Sequence, residues 1–265
     1  MKGIQIRGNQ FFFKDLNSEN EETILLIHGH PFDHTMWKYQ YEILKGYRLI
    51  LPDLKGYGKS DFNFDKIYIE EQALDLAILL DVLEIEKVHL IGLSMGGQII
   101  MEFCRLFPHR VKSLVIAASS PSAETEISYS NRYKEAVWIS KTGMLQYTKE
   151  FIHEYMDLNE NNEDTDVYKH LFKMMSETQS KGAVASHYGR AERRNNLPFL
   201  KHIDKPSLFI AAEFDTQFTI EQMKDIANQI PNSIFKVITK SGHLPNMEQP
   251  DVFNSYLSAF DQGIK

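Results

Sequence analysis

The feature that most narrows what this chain can fold into is Gly92-Leu93-Ser94-Met95-Gly96-Gly97, set between two segments of different periodicity. Before it runs Val88 to Ile91 (VHLI), apolar and strand-like. After it runs Gly96 to Phe107, which reads as a helix stopped by Pro108. A serine with glycine two residues before and two after suits a strand-to-helix turn too tight for larger side chains. Such a turn lifts the hydroxyl off a sheet edge and sets it at a helix N-terminus. There, unpaired N–H groups and the helix dipole favour a developing negative charge.

The same alternation runs through most of the chain. Ile4 to Arg7 and Gln10 to Lys14 flank Gly8-Asn9 as a hairpin. Thr23 to Ile27, Tyr47 to Leu51, Val111 to Ala117, Ser207 to Ala212 and Ile234 to Ile238 are continuous apolar runs. Runs of that kind belong to strands covered on both faces. Between them, Ala73, Leu76, Ala77 and Leu80 mark one helix face, and Ile220 to Ile230 and Val252 to Phe260 read as further helices. The pattern predicts an α/β fold with a mostly parallel sheet flanked by helices. Residues 121–198 break the rhythm, with helical patterns, no buried-strand run and a polar tract at 159–166. A connection that long carries structure of its own. It is read as a helical cap, or lid, inserted into a core formed by residues 1–120 and 199–265.

The composition, 43% hydrophobic and 25% charged, is that of a globular protein. A net charge of −7 and the lack of a basic run argue against nucleic-acid binding. Apolar stretches fall short of the roughly 20 residues of a membrane span. Met1 to Gln10 lacks the apolar core of a secretory signal, so a cytoplasmic location is expected. Cys104 is the single cysteine and is assigned to the packed core. Neither oligomeric state nor the exact substrate is encoded in a way that can be read.

A serine hydroxyl needs a base to take its proton, and ten histidines compete for that role. His243, in Ser241-Gly242-His243 after the last strand run, falls at the carboxyl end of the sheet, where open α/β sheets bind ligands. His153, His170, His187 and His202 fall in or beside the insertion. Asp215, just past Ser207 to Ala212, is favoured to orient His243, with Glu213 as its rival and Asp225 placed on a helix. An oxyanion needs backbone donors. Met95 supplies one, and His30, in His28-Gly29-His30-Pro31-Phe32 after Thr23 to Ile27, supplies the other.

The segments His28-Gly29-His30-Pro31, Asp53-Leu54-Lys55-Gly56-Tyr57-Gly58-Lys59-Ser60, Gly92 to Gly97 and Gly242-His243 together resemble the α/β-hydrolase superfamily. Within it, the chain is similar to the esterase, lactonase and cofactor-free peroxidase branch. The resemblance implies the order Ser94, Asp215, His243 for the catalytic residues and a backbone oxyanion donor at His30. Haloalkane dehalogenases and epoxide hydrolases carry aspartate where this chain has Ser94. The family often has proline four residues after the acid, where this chain has Thr219. The expected activity is hydrolysis of a small carboxylic ester or lactone, without metal or organic cofactor. Aromatic residues of the insertion (Trp138, Tyr147, Phe151, Tyr155, Tyr188) point to a small, largely uncharged acyl substrate.

Two other functions compete. His28, His30, Asp33 and His34 nearly spell the ligand run of metal-dependent lactonases, with one residue too many before Asp33. The same fold also serves as a non-catalytic small-molecule receptor. A nicotinamide enzyme is disfavoured, because Gly56-Tyr57-Gly58 lacks the full dinucleotide-binding glycine pattern.

Overall fold

Burial patterns along the strands explain the architecture. Thr23–Ile27 (β3) and Ser207–Ala212 (β7) are buried at every position, so both faces of the sheet must be covered. The computed structural model describes residues 1–157 and 164–264. It contains an eight-stranded sheet in the order β1-β2-β4-β3-β5-β6-β7-β8. The other strands are Lys2–Ile6 (β1), Asn9–Leu16 (β2), Arg48–Pro52 (β4), Val88–Leu93 (β5), Val111–Ala117 (β6) and Ser233–Ile238 (β8). β1 and β2 form an antiparallel hairpin and β2 runs antiparallel to β4, while the remaining neighbours are parallel.

One face of the sheet packs against Ile69–Val82 (α1) and Met95–Leu106 (α2), in a core that includes Leu76, Leu80, Ile100 and Phe103. The other face packs against the turn His34–Gln40 and the C-terminal helix, through Trp37, Phe253 and Leu257. The helix expected over Ile220 to Ile230 is shorter, Ile220–Ala227 (α6 below), and residues 228–230 turn back on it through bonds such as Ile230 N to Ala227 O.

The described part of residues 121–198 is mostly helical: Glu126–Phe151 (α3), broken at Gly143 (φ 78°, ψ 170°), Asp166–Glu177 (α4) and Ser180–Ala191 (α5), with short non-helical stretches between them. Thr125 caps α3 in a reciprocal pair with Ser128, and Thr165 caps α4, each satisfying an orphan N–H of the first turn. Most of the polar tract at 159–166 lies outside the described residues. α5 rests on the loops that follow β3 and β4. Thr178 Oγ1 donates to Pro31 O (2.8 Å) and Ile67 N donates to Ala185 O (3.0 Å). A Cβ on Gly182 would fall 1.9 Å from Gly56 O, so only glycine permits this approach. The remaining helices are Ile220–Ala227 (α6), Pro245–Glu248 (α7) and Pro250–Ile264 (α8). No described helix is long and apolar enough to cross a membrane.

Candidate active site

Because β3, β5, β7 and β8 run in parallel, their carboxyl ends share one edge of the sheet, and the loops leaving them meet there. Ser94 follows β5 directly and is the N-cap of α2, with φ 55° and ψ −118°. Positive φ at a residue with a Cβ costs on the order of 1–3 kcal/mol and persists only where the surroundings over-determine it. The surroundings do so here. A Cβ on Gly92 would lie 2.4 Å from Gly96 O, and one on Gly96 would lie 2.1 Å from Ile27 O. Ser94 N donates to Ala117 O (2.9 Å), and Ser119 Oγ donates to Ser94 O (2.7 Å). Met95 opens α2, so its N–H is one of the four without an intrahelical acceptor.

His243 and Asp215 come together on the loops after β8 and β7, with His243 Nδ1 and Asp215 Oδ2 2.9 Å apart and both side chains fully buried. Asp215 Oδ1 accepts from Gln217 N (2.8 Å) and Phe218 N (3.2 Å). The carboxylate is thus fixed on both oxygens. Glu213 is exposed and accepts from Lys240 N instead (2.9 Å). The imidazole lies between the rings of Phe218, stacked at 5.8 Å, and Tyr155, edge-on at 5.9 Å. Its Nε2 is buried and makes no hydrogen bond among the described residues. Ser94 Oγ is likewise not bonded to it. Such contacts are often long before substrate binds and tighten afterwards.

A cavity of about 160 Å³ opens beside Ser94. His30 and Ser94 reach it from the sheet side, and Tyr147, Tyr155, His187 and Arg190 are among those reaching it from residues 121–198. His30 Nδ1 shares a 2.7 Å hydrogen bond with the Tyr57 hydroxyl. Burial, with His187 and Arg190 nearby, pushes the His30 imidazole well below its ordinary value, so it is neutral.

Similarity to known proteins agrees with this layout. A family model described as the alpha/beta hydrolase fold matches residues 22–139. An esterase from Thermogutta terrifontis, solved with malate bound, superposes with a TM-score of 0.94 at 29% identity, over 100% of this chain and 99% of that one. The chain has the α/β-hydrolase fold. A 3-oxoadipate enol-lactonase from Acinetobacter baylyi is 28% identical over 93% of this chain and 91% of its own length. A putative 2-succinyl-6-hydroxy-2,4-cyclohexadiene-1-carboxylate synthase from Bacillus subtilis is 26% identical, over 96% and 95%.

The four residues of the alternative metal site do not converge. His28 has both ring nitrogens committed: Nδ1 pairs with Gly29 O (2.8 Å) and Nε2 accepts from Leu54 N (3.0 Å). It ties the loop after β3 to the loop after β4. His30 turns to Tyr57 and the cavity. Only Asp33 and His34 stay together, joined by Asp53. That trio is internally satisfied, because Asp53 accepts from His34 N, His34 Nδ1 and Lys59 N, and Asp33 caps Thr35.

Three features went unread in the sequence. The cavity is polar: Arg132, Glu135 and Arg190 line it, whereas the insertion's aromatic residues pointed to a small, largely uncharged acyl substrate. Trp138 and Phe151 pack on Tyr147 and Tyr188 packs on Tyr133, so much of that aromatic surface holds the helices to one another. Glu248 organises the His243 loop, accepting from Gly242 N (3.0 Å), Leu244 N (3.1 Å) and Asp157 N (2.8 Å). Its position five residues after His243 was the available signal. Thr219, where the family often has proline, caps α6 by pairing with Gln222. The His30–Pro31 peptide bond is cis.

Proposed function

We propose that this α/β hydrolase cleaves a small carboxylic ester or lactone through an acyl-enzyme, with Ser94 as nucleophile, His243 as base and Asp215 as its orienting acid. The observation behind this is the buried His243–Asp215 pair on the same sheet edge as Ser94, whose backbone is held at positive φ. The enol-lactonase and esterase among its relatives support the ester and lactone class.

His243 Nε2 takes the Ser94 hydroxyl proton as Oγ attacks the carbonyl carbon. The carbonyl π pair moves onto oxygen, where the N–H groups of His30 and Met95 receive it. The tetrahedral intermediate collapses and His243 Nε2–H protonates the leaving alcohol. Water, deprotonated by the same nitrogen, then attacks the acyl carbon and Ser94 leaves with its proton restored. The Asp215 carboxylate accepts the Nδ1–H throughout, so in the resting ring Nε2 is unprotonated and ready to take a proton, and the imidazolium formed during each step is stabilised. Residues 121–198 act as the cap that excludes water from the acyl group.

Hydrolysis of p-nitrophenyl acetate, p-nitrophenyl butyrate and a lactone by wild type and Ser94→Ala tests the assignment. The substitution lowers kcat by at least about 10⁴-fold, leaving what binding and the oxyanion donors supply. A chelator leaves the wild-type rate unchanged. Activity that survives the substitution refutes Ser94 as nucleophile.

A further inference from the structure

We infer that the cavity beside Ser94 contains a carboxylate-binding subsite centred on Arg190, which selects acyl groups bearing a second, terminal carboxylate. The inference builds on the serine-hydrolase function proposed above and names its substrate class.

Two arginines line this cavity, Arg132 and Arg190, and among the described residues only the first has an ion pair. Arg132 and Arg193 both hydrogen-bond to Glu124, which is almost wholly buried. Arg190, on the last turn of α5, is 3% exposed, has no ion pair among the described residues, and has an unbonded Nε. A buried guanidinium without a partner is costly, and arginine cannot escape the cost by losing its proton near neutral pH. Beside it stands His187, 1% exposed, with both ring nitrogens unbonded. Burial keeps the His187 imidazole well below its ordinary value, so it is neutral and carries one N–H. His30 Nε2, on a ring 4.5 Å from His187, is also unbonded. Unsatisfied polar atoms of this kind are rare in folded interiors, and three residues with them share one cavity with the proposed nucleophile.

The chemistry that completes such a set is an anion. A planar guanidinium fork matches a carboxylate with two parallel N–H···O bonds, and a neutral imidazole N–H can add a third. Glu135 also lines the cavity, but its side chain is 32% exposed, and its Oε2 lies 3.6 Å from His187 Nδ1, beyond hydrogen-bond distance. A single guanidinium without an ion pair among the described residues matches a monoanionic group, which favours a carboxylate over a phosphate dianion. The volume of about 160 Å³ suits a short acyl chain spanning Arg190 and Ser94.

Two esters test this: p-nitrophenyl butyrate and the mono-p-nitrophenyl ester of glutarate, which differ by one terminal carboxylate. Wild type favours the charged ester by at least tenfold in kcat/KM. Arg190→Met lowers that ratio by about 10- to 100-fold, the range for hydrogen bonds to a charged group, and mainly through KM. A wild-type ratio below one, or a ratio that Arg190→Met leaves unchanged, overturns the subsite. Should Arg190→Met fail to fold, inhibition of wild type decides: glutarate inhibiting no better than neutral glutaramide overturns it. Titration of glutarate into Ser94→Ala separates this inference from the catalytic one. Binding there supports the subsite even if neither ester is hydrolysed, and its absence refutes the subsite even if both are.

Discussion

Replacing Asp215 by asparagine exchanges one carboxylate oxygen for an NH₂ group and leaves the shape of the side chain alone. The neighbours dictate which oxygen is lost. Oδ1 faces two backbone donors, Gln217 N at 2.8 Å and Phe218 N at 3.2 Å, so an NH₂ placed there would meet N–H groups. The amide oxygen therefore keeps that position and the NH₂ faces His243 Nδ1, 2.9 Å away in the wild type. A donor opposite Nδ1 forces that nitrogen to accept, and the ring's single proton moves to Nε2. Nε2 can then no longer take a proton from Ser94. The same exchange in an unrelated serine triad costs about 10⁴ in kcat, or about 5 kcal/mol of barrier at 1.36 kcal/mol per decade. Stability changes far less, because both backbone bonds survive with a neutral acceptor, a loss of about 2 kcal/mol or less. Initial rates on p-nitrophenyl butyrate and a calorimetric scan of the two proteins measure both quantities. A variant with kcat within tenfold of wild type and an unchanged Tm would show that Asp215 does not set the tautomer of His243.

Glu124 makes the fold acid-sensitive. Burial alone would raise its carboxyl, but Arg132 and Arg193 bring it from 4.5 down to about 2. A depressed value means the folded state binds the proton more weakly, so the stabilisation is present above pH 4.5 and is lost as pH falls toward 2. That gap is worth on the order of 3 kcal/mol. Urea unfolding of wild type and Glu124→Gln across this range should show a loss in wild type that the variant lacks, and parallel curves would refute the pairing. Truncating Glu248 to alanine removes the acceptor for three backbone N–H groups around His243. At about 1.5–3 kcal/mol for each charged hydrogen bond, offset by water entering the space, the cost is about 3 kcal/mol and Tm falls by on the order of 10 °C. If Glu248 positions the His243 loop, kcat on a small ester falls more than KM rises. Unchanged kcat with lowered Tm would reduce its role to stability.

Local chemistry made much of the framework legible. The apolar runs of β3 and β7 read as strands because a parallel strand covered on both faces has no polar side to show. The turn at Ser94 was readable because its requirements, glycine at 92 and 96 and a strand leading into a helix, lie within a few residues. The metal-ligand reading of His28 to His34 came from spacing alone. It did not hold because neighbouring side chains in an irregular loop face different ways: His28 toward Leu54, His30 toward Tyr57, His34 toward Asp53.

Arg190 marks the limit of such reading. In the sequence it belongs to Arg190-Ala191-Glu192-Arg193-Arg194, which resembles a solvated, charged helix end. Its burial arises from the seating of α5 on the loops after β3 and β4, where Gly182 and Gly189 let backbone approach backbone at Gly56 and Ile67. Among the described residues it has no ion pair, because Glu124 pairs with Arg132 and Arg193 instead. The sequence by itself determined the strand and helix alternation and the turn that carries Ser94, because those follow from the geometry of adjacent residues. Only the tertiary structure decided which acid meets His243, which histidine faces the cavity and which arginine has no counter-ion among the described residues. Burial and charge pairing are set by residues far apart in the chain, whose meeting no local pattern records.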